Sequence, residues 1–180
     1  MRMKSILLCV VGLYLFGANK VVIARAPQDT CVFPAGLGEE ISRKYPGARL
    51  VTLADLDEYN RKLFQKDHGT RCPGLARVNF YGDGKPTWAL VLIVGEGSKP
   101  KAELVVAHKV GTNWEIRLLD TVDASEMPVV LREGSGTYDD VSEPKTVRAK
   151  NPVIVLYAYE VWGKLYVWTG KDVVKLQISD

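Results

Sequence analysis

The chain has 180 residues, with 24 Lys and Arg against 21 Asp and Glu and a hydrophobic content of 47%. Arg2, Lys4 and Lys20 account for all of the formal charge of +3, and the chain beyond residue 24 carries 21 basic and 21 acidic residues. That balance excludes the strongly basic composition expected of a protein that binds nucleic acid or an anionic membrane, and about 155 residues suit one domain with a single core.

The first two dozen residues read as an export leader. Met1-Arg2-Met3-Lys4 supplies positive charge, residues 6–17 form an apolar run without a charge, and Val22-Ile23-Ala24 and Ala24-Arg25-Ala26 each offer a cleavage site. The run is too short to span a bilayer comfortably, and Lys20 shortens it further, although an uncleaved anchor is the rival reading. The expected cut follows Ala24, because Pro27 would follow the other cut and lacks an amide hydrogen. Residues 1–24 are therefore read as a signal peptide and residues 25–180 as one globular domain, periplasmic or secreted, with no membrane span after cleavage. Cys9 lacks the preceding small residues of a lipoprotein signal.

Export leaves Cys31 and Cys72 as the two cysteines of the mature chain, in an oxidising compartment, and a disulfide between them is predicted. It would close a loop of about 40 residues, worth roughly 3 to 4 kcal/mol on the chain-entropy argument. Free thiols are the alternative, since spacing alone does not bring two Cα atoms together.

Leu37, Ile41 and Tyr45, four apart and followed by Pro46-Gly47, predict a short helix with one apolar stripe. A second helix is signalled by Asp55 and Glu58 in a capping arrangement, Leu56, Tyr59, Leu63 and Phe64 on one face, Lys62 and Lys66 late, and Gly69 beyond. From Cys72 the period changes to two. Residues 76–81 and 88–94 flank Gly82-Asp83-Gly84-Lys85-Pro86 as a hairpin, and residues 103–110 and 114–119 flank Gly111-Thr112-Asn113 as another with one wet face. A polar stretch at 133–144 precedes three strands at 153–159, 165–169 and 173–178, expected as a meander. The expected fold class is α+β: two N-terminal helices packed on a mainly antiparallel sheet of hairpins and a C-terminal meander.

Asn79 to Thr87 has the spacing of a calcium loop, but only Asn79, Asp83 and Thr87 offer side-chain oxygens, and Tyr81 stands where a carboxylate is needed. A plain glycine-rich hairpin turn is the preferred reading. Cys72-Pro73-Gly74 and Gly82 to Pro86, leading into Trp88-Ala89-Leu90-Val91-Leu92, with Leu165-Tyr166-Val167-Trp168 and Asp180 near the end, resemble exported bacterial proteins of unassigned function. The likeness covers about half of the mature chain. It implies a single secreted domain and carries no catalytic residues. The turn is also similar to calcium loops of integrin-like repeat proteins, a pattern that Tyr81 and Thr87 break.

Two histidines narrow the catalytic options. His68 suits a helix C-terminus, His108 shares a strand face with Leu104 and Val106, and a Cys72-His68 nucleophilic pair competes with the disulfide. There is no HExxH, phosphate-binding loop, GxSxG or multi-cysteine metal motif, so no cofactor is expected. The adjacent acids Asp139 and Asp140, Glu39 and Glu40, and Asp55 and Asp57 read mainly as solvated surface groups. The aromatic residues Tyr157, Tyr159, Trp162, Tyr166 and Trp168 form a candidate binding ladder if their strand faces coincide, and core if buried, the preferred reading. The leading functional expectation is a non-catalytic binding or inhibitor-type module of the envelope with a protein or glycan partner. A small secreted hydrolase using fold-assembled carboxylates is the alternative, and a structural envelope protein the third reading.

Overall fold

The computed structural model describes residues 31–95 and 99–179; the leader read from residues 1–24 and the closing Asp180 lie outside them. Two helices form where the sequence places them: α1 spans Leu37–Lys44 and α2 spans Glu58–His68. Leu37 and Ile41 bury one stripe of α1. The N-cap of α2 is Asp57, whose carboxylate accepts the Asn60 amide at 2.9 Å, and not Asp55, which accepts the Thr52 amide and hydroxyl and pairs with Arg49. Tyr59 also departs from the expected apolar face: it is exposed, and its hydroxyl donates to Glu160.

The remainder is β structure. Strands β1 (Arg49–Leu50), β2 (Leu75–Val78), β3 (Thr87–Val94), β4 (Lys101–Val110) and β5 (Asn113–Asp123) form one antiparallel sheet. Both β1 and β2 pair with the same edge of β3, end to end, and β4 and β5 follow on its other side. The second sheet has the order β11 (Val173–Ser179), β10 (Trp162–Trp168), β9 (Val153–Ala158), β6 (Val129–Glu133), and β7 (Gly136–Asp139) and β8 (Thr146–Ala149) make a separate hairpin.

The α+β expectation is overturned by this arrangement. The chain is built from antiparallel sheets packed on each other, and the helices do not form a layer over one sheet. Val91, Leu104 and Val106 of the first sheet meet Val130, Ile154, Leu156 and Tyr166 of the second in a shared core. Helix α1 covers the outer face of the first sheet through Leu37 and Ile41, against Leu90, Leu92, Val105 and Ala107. Helix α2 sits apart, its Phe64 against Val129 of β6. The β7–β8 hairpin closes the outer face of the second sheet, with Ala149 against Val155, Leu165 and Leu176. The physical reason lies in β3, β4 and β9, whose runs of consecutive buried residues show strands covered on both faces.

A bulge gives the seam between the sheets a polar anchor. Leu104 opposes Asp120 but Val105 opposes Leu118, so Leu119 is the extra residue and Asp120 turns toward the core with Leu104. The disulfide predicted from sequence is present between Cys31 and Cys72, with Cα atoms 4.9 Å apart. No helix among the described residues is long and apolar enough to cross a membrane.

Candidate functional site

The groove that collects chemistry lies where the two sheets part. It is built outward from Cys72-Pro73-Gly74. The Pro73 carbonyl accepts the Val130 amide at 2.8 Å, joining the start of β2 to β6. Gly74 fits here because a Cβ would sit 2.5 Å from the Val51 carbonyl oxygen. Past that joint, β2 and β6 line an open groove of about 620 Å³ together with His68, Arg71 and Cys72. Arg77 stands at its lip and also borders two smaller cavities, one reaching Asn79, Lys85 and Arg132, the other Pro34, Lys109 and Trp114.

No carboxylate lines the groove, although Asp67 and Glu133 lie close enough to act on His68. Among the described residues, Arg49 pairs with Asp55, Lys62 with Glu58 and Lys164 with Asp120, whereas Arg71, Arg77, Lys85, Lys109 and Arg132 pair with no carboxylate. Two of these cations sit over indoles directly opposite them on a neighbouring strand. The Arg77 guanidinium lies 5.9 Å from the Trp88 ring centre and the Lys109 ammonium 5.7 Å from that of Trp114. His68 packs on Phe64; its burial first, and Arg71 beside it, lower its pKa against the opposing pull of Asp67 and Glu133. No sequence pattern announced this site, since Arg132 lies 55 positions beyond Arg77 and only the meeting of β2 with β6 brings it to Arg71 and Arg77.

The glycine-rich turn holds itself together with the oxygens that a cation would need. Asn79 Oδ1 accepts the Gly84 amide at 3.2 Å, and Asp83 Oδ1 accepts the Lys85 amide at 3.0 Å. Asp83 Oδ2 lies 3.0 Å from His108 Nε2, and His108 Nδ1 lies 3.2 Å from the Thr87 hydroxyl. Because an ionised carboxylate only accepts, Nε2 carries a proton. Asp83, His108 and Thr87 thus have the connectivity of an acid, base and nucleophile, which the sequence reading missed; Thr87 and His108 are opposite each other in the β3–β4 register. Thr87 is 0% exposed, so no substrate carbonyl reaches its hydroxyl and the chain anchors the turn to the sheet. No cluster of three or more metal-binding side chains occurs among the described residues.

The expected aromatic ladder is divided between two faces. Tyr166, Trp162 and Trp168 face the seam between the sheets, while Tyr157 and Tyr159 face the α2 side and meet each other edge to face with centroids 4.8 Å apart. Tyr166 is 1% exposed and Trp168 packs against Tyr81. Trp162 donates its indole N–H to Glu126 and lies under Lys164.

The acids considered for hydrolysis hold local structure. Asp139 accepts the Thr146 hydroxyl, Asp140 accepts Ser142 and the Gln177 amide, and Glu40 pairs with Arg43. Cys72 is in the disulfide and is no nucleophile. No protein-family model, curated protein or solved structure matches the chain.

Proposed function

We propose that the chain is an exported, non-catalytic binding module of the cell envelope or exterior, and that its partner is anionic and occupies the groove between β2 and β6. One observation carries this reading: Arg71, Arg77 and Arg132 surround an open groove and have no carboxylate partner among the described residues. A cluster of like charges is unfavourable by itself, and an anionic ligand relieves it. Trp88, half-buried at the groove wall, adds a rigid apolar surface of the kind that anchors a partner. Export is supported by the charged, apolar and small-residue order of residues 1–24 and by the disulfide, which persists in oxidising compartments.

The test uses the full chain produced in cells, followed by fractionation, intact mass measurement and titration of the purified protein with polyglutamate and polygalacturonate. The expected results are loss of residues 1–24, binding of at least one polyanion, weakening with salt, and a tenfold or greater loss on Arg77→Ala or Arg132→Ala. Retention in the cytoplasm overturns the export part. Failure to bind either polyanion, or variants that bind like the parent, overturns the groove.

A further inference from the structure

We infer that the partner is an extended acidic polypeptide segment that adds to β2 as a new strand; this rests on the anionic reading of the groove. The phase of the two flanking ladders leaves main-chain groups free along the groove. The Val91 amide donates to the Gly74 carbonyl at 2.9 Å, so Gly74 and Val91 belong to the hydrogen-bonded pairs of the β2–β3 ladder. Such pairs alternate along an antiparallel ladder, so Ala76 and Val78 direct their main-chain groups to β3. Leu75 and Arg77 therefore direct theirs away from it. The Leu75 amide donates to the Cys72 carbonyl, which leaves the Leu75 carbonyl and both main-chain groups of Arg77 along the groove.

The other wall has the same phase. The Val130 amide donates to Pro73 and so points away from β9, which puts Arg132 in the same phase, its N–H and C=O turned outward. Neither Arg77 nor Arg132 has another main-chain hydrogen-bond partner there among the described residues. Both are edge-strand residues, and an edge of this kind is a template for an incoming strand.

Charge selects the chemistry of that strand. Arg77 shares the outer face with Trp88, and Arg132 shares a face of β6 with Val130, toward the seam. A strand lying along β2 alternates its side chains between those two sides. Carboxylates on one side then meet Arg77 and Lys85, and those on the other meet Arg132. A glycan could satisfy the cations but has no regular ladder of N–H and C=O groups to match the main chain of Leu75 and Arg77.

The experiment compares three probes against the full-length protein, followed by the fluorescence of its tryptophans and by calorimetry: a capped octa-glutamate, the same peptide N-methylated at every residue, and an oligogalacturonate of equal charge. A strand added to β2 needs free amides whatever its register, and methylation removes all of them while keeping the charge, so the methylated peptide should bind at least tenfold more weakly than the parent. The oligogalacturonate should bind more weakly than the parent peptide. A methylated peptide that binds like the parent overturns strand addition. So does an oligogalacturonate that binds where the peptide does not, although the anionic groove then stands. Absence of binding by the peptide and the oligogalacturonate alike overturns both readings.

Discussion

The Tyr166 hydroxyl of the second sheet donates to Asp120 Oδ2 of the first at 2.6 Å, and this bond fastens the two sheets at their seam. Lys164 lies 3.2 Å from the same oxygen and Lys175 3.6 Å. Tyr166→Phe removes the hydroxyl and keeps the ring, so the expected loss is about 1 to 3 kcal/mol for a bond to a charged group. Tyr166→Ala also empties a packed site and should cost about 3 to 5 kcal/mol. Urea unfolding of both variants checks the order; a neutral Tyr166→Phe change would mean that the lysines alone hold Asp120.

Acid should weaken the same seam. Burial on its own raises the Asp120 pKa, but the Tyr166 and Lys164 hydrogen bonds and the charges of Lys164 and Lys175 outweigh it, so the folded value lies below the ordinary one. A depressed carboxylate contributes stability that is fully present above its unfolded pKa of about 3.9 and is lost as pH falls through the folded value. Asp120→Asn should therefore be less stable than the parent at neutral pH, and its stability should fall less steeply below about pH 4. Parallel slopes for the two proteins would exclude Asp120 as a source of acid sensitivity.

The Cys31–Cys72 bridge ties the described N-terminal segment to the joint between β2 and β6, and the cysteines are separated by 41 positions. Replacing both by alanine should lower stability by roughly 3 to 4 kcal/mol through the larger entropy of the unfolded chain. The parent under strong reductant should lose a similar amount. The two measurements together separate the crosslink from the packing of Cys72: a much larger loss in the alanine variant assigns the difference to the side chain.

Much of the local structure was legible because turn chemistry and period are local properties. The Gly-Asp-Gly-Lys-Pro and Gly-Thr-Asn turns, the three closing strands and the end of α2 at Gly69 all stand where their residues place them. Strands β6, β7 and β8 were missed, the last two because their short exposed segments alternate too briefly to show a period. The division into two sheets was illegible for a different reason. Whether Tyr157 and Tyr166 share a face depends on the sheet between them: Tyr166 opposes Ile154 and so faces the seam, whereas Tyr157 opposes Gly163 and faces the other way. The groove was hidden likewise, since Arg132 joins Arg71 and Arg77 only through the pairing of Val130 with Pro73.

Gly74 should tolerate no side chain. An added Cβ would lie 2.5 Å from the Val51 carbonyl oxygen and 2.8 Å from its nitrogen, and the Gly74 amide donates to that carbonyl at 3.0 Å. Relief requires the junction of β1 and β2 to open, which displaces backbone and not a flexible side-chain end. Gly74→Ala is expected to lose about 1 to 3 kcal/mol or more by overpacking. Because the groove starts at the same joint, polyglutamate affinity should fall with it under conditions where the variant is still folded by circular dichroism. Unchanged affinity in a folded, destabilised variant would separate the joint from the groove.

The turn from Asn79 to Thr87 should not bind calcium. Its side-chain oxygens already serve the protein: Asn79 holds the Gly84 amide, Asp83 holds the Lys85 amide and His108, and the Thr87 hydroxyl is buried against His108. A hard cation would have to replace these bonds while finding a single carboxylate, Asp83, among the three. Millimolar calcium should therefore leave the thermal midpoint of the parent unchanged. Asp83→Ala should lower stability only modestly, by under about 1 kcal/mol, because the Asp83 side chain is 37% exposed and solvent screens its contact with His108. A calcium-dependent rise in the midpoint that disappears in Asp83→Ala would show that the turn rearranges to coordinate the ion, and that its internal hydrogen bonds are weaker than their geometry indicates.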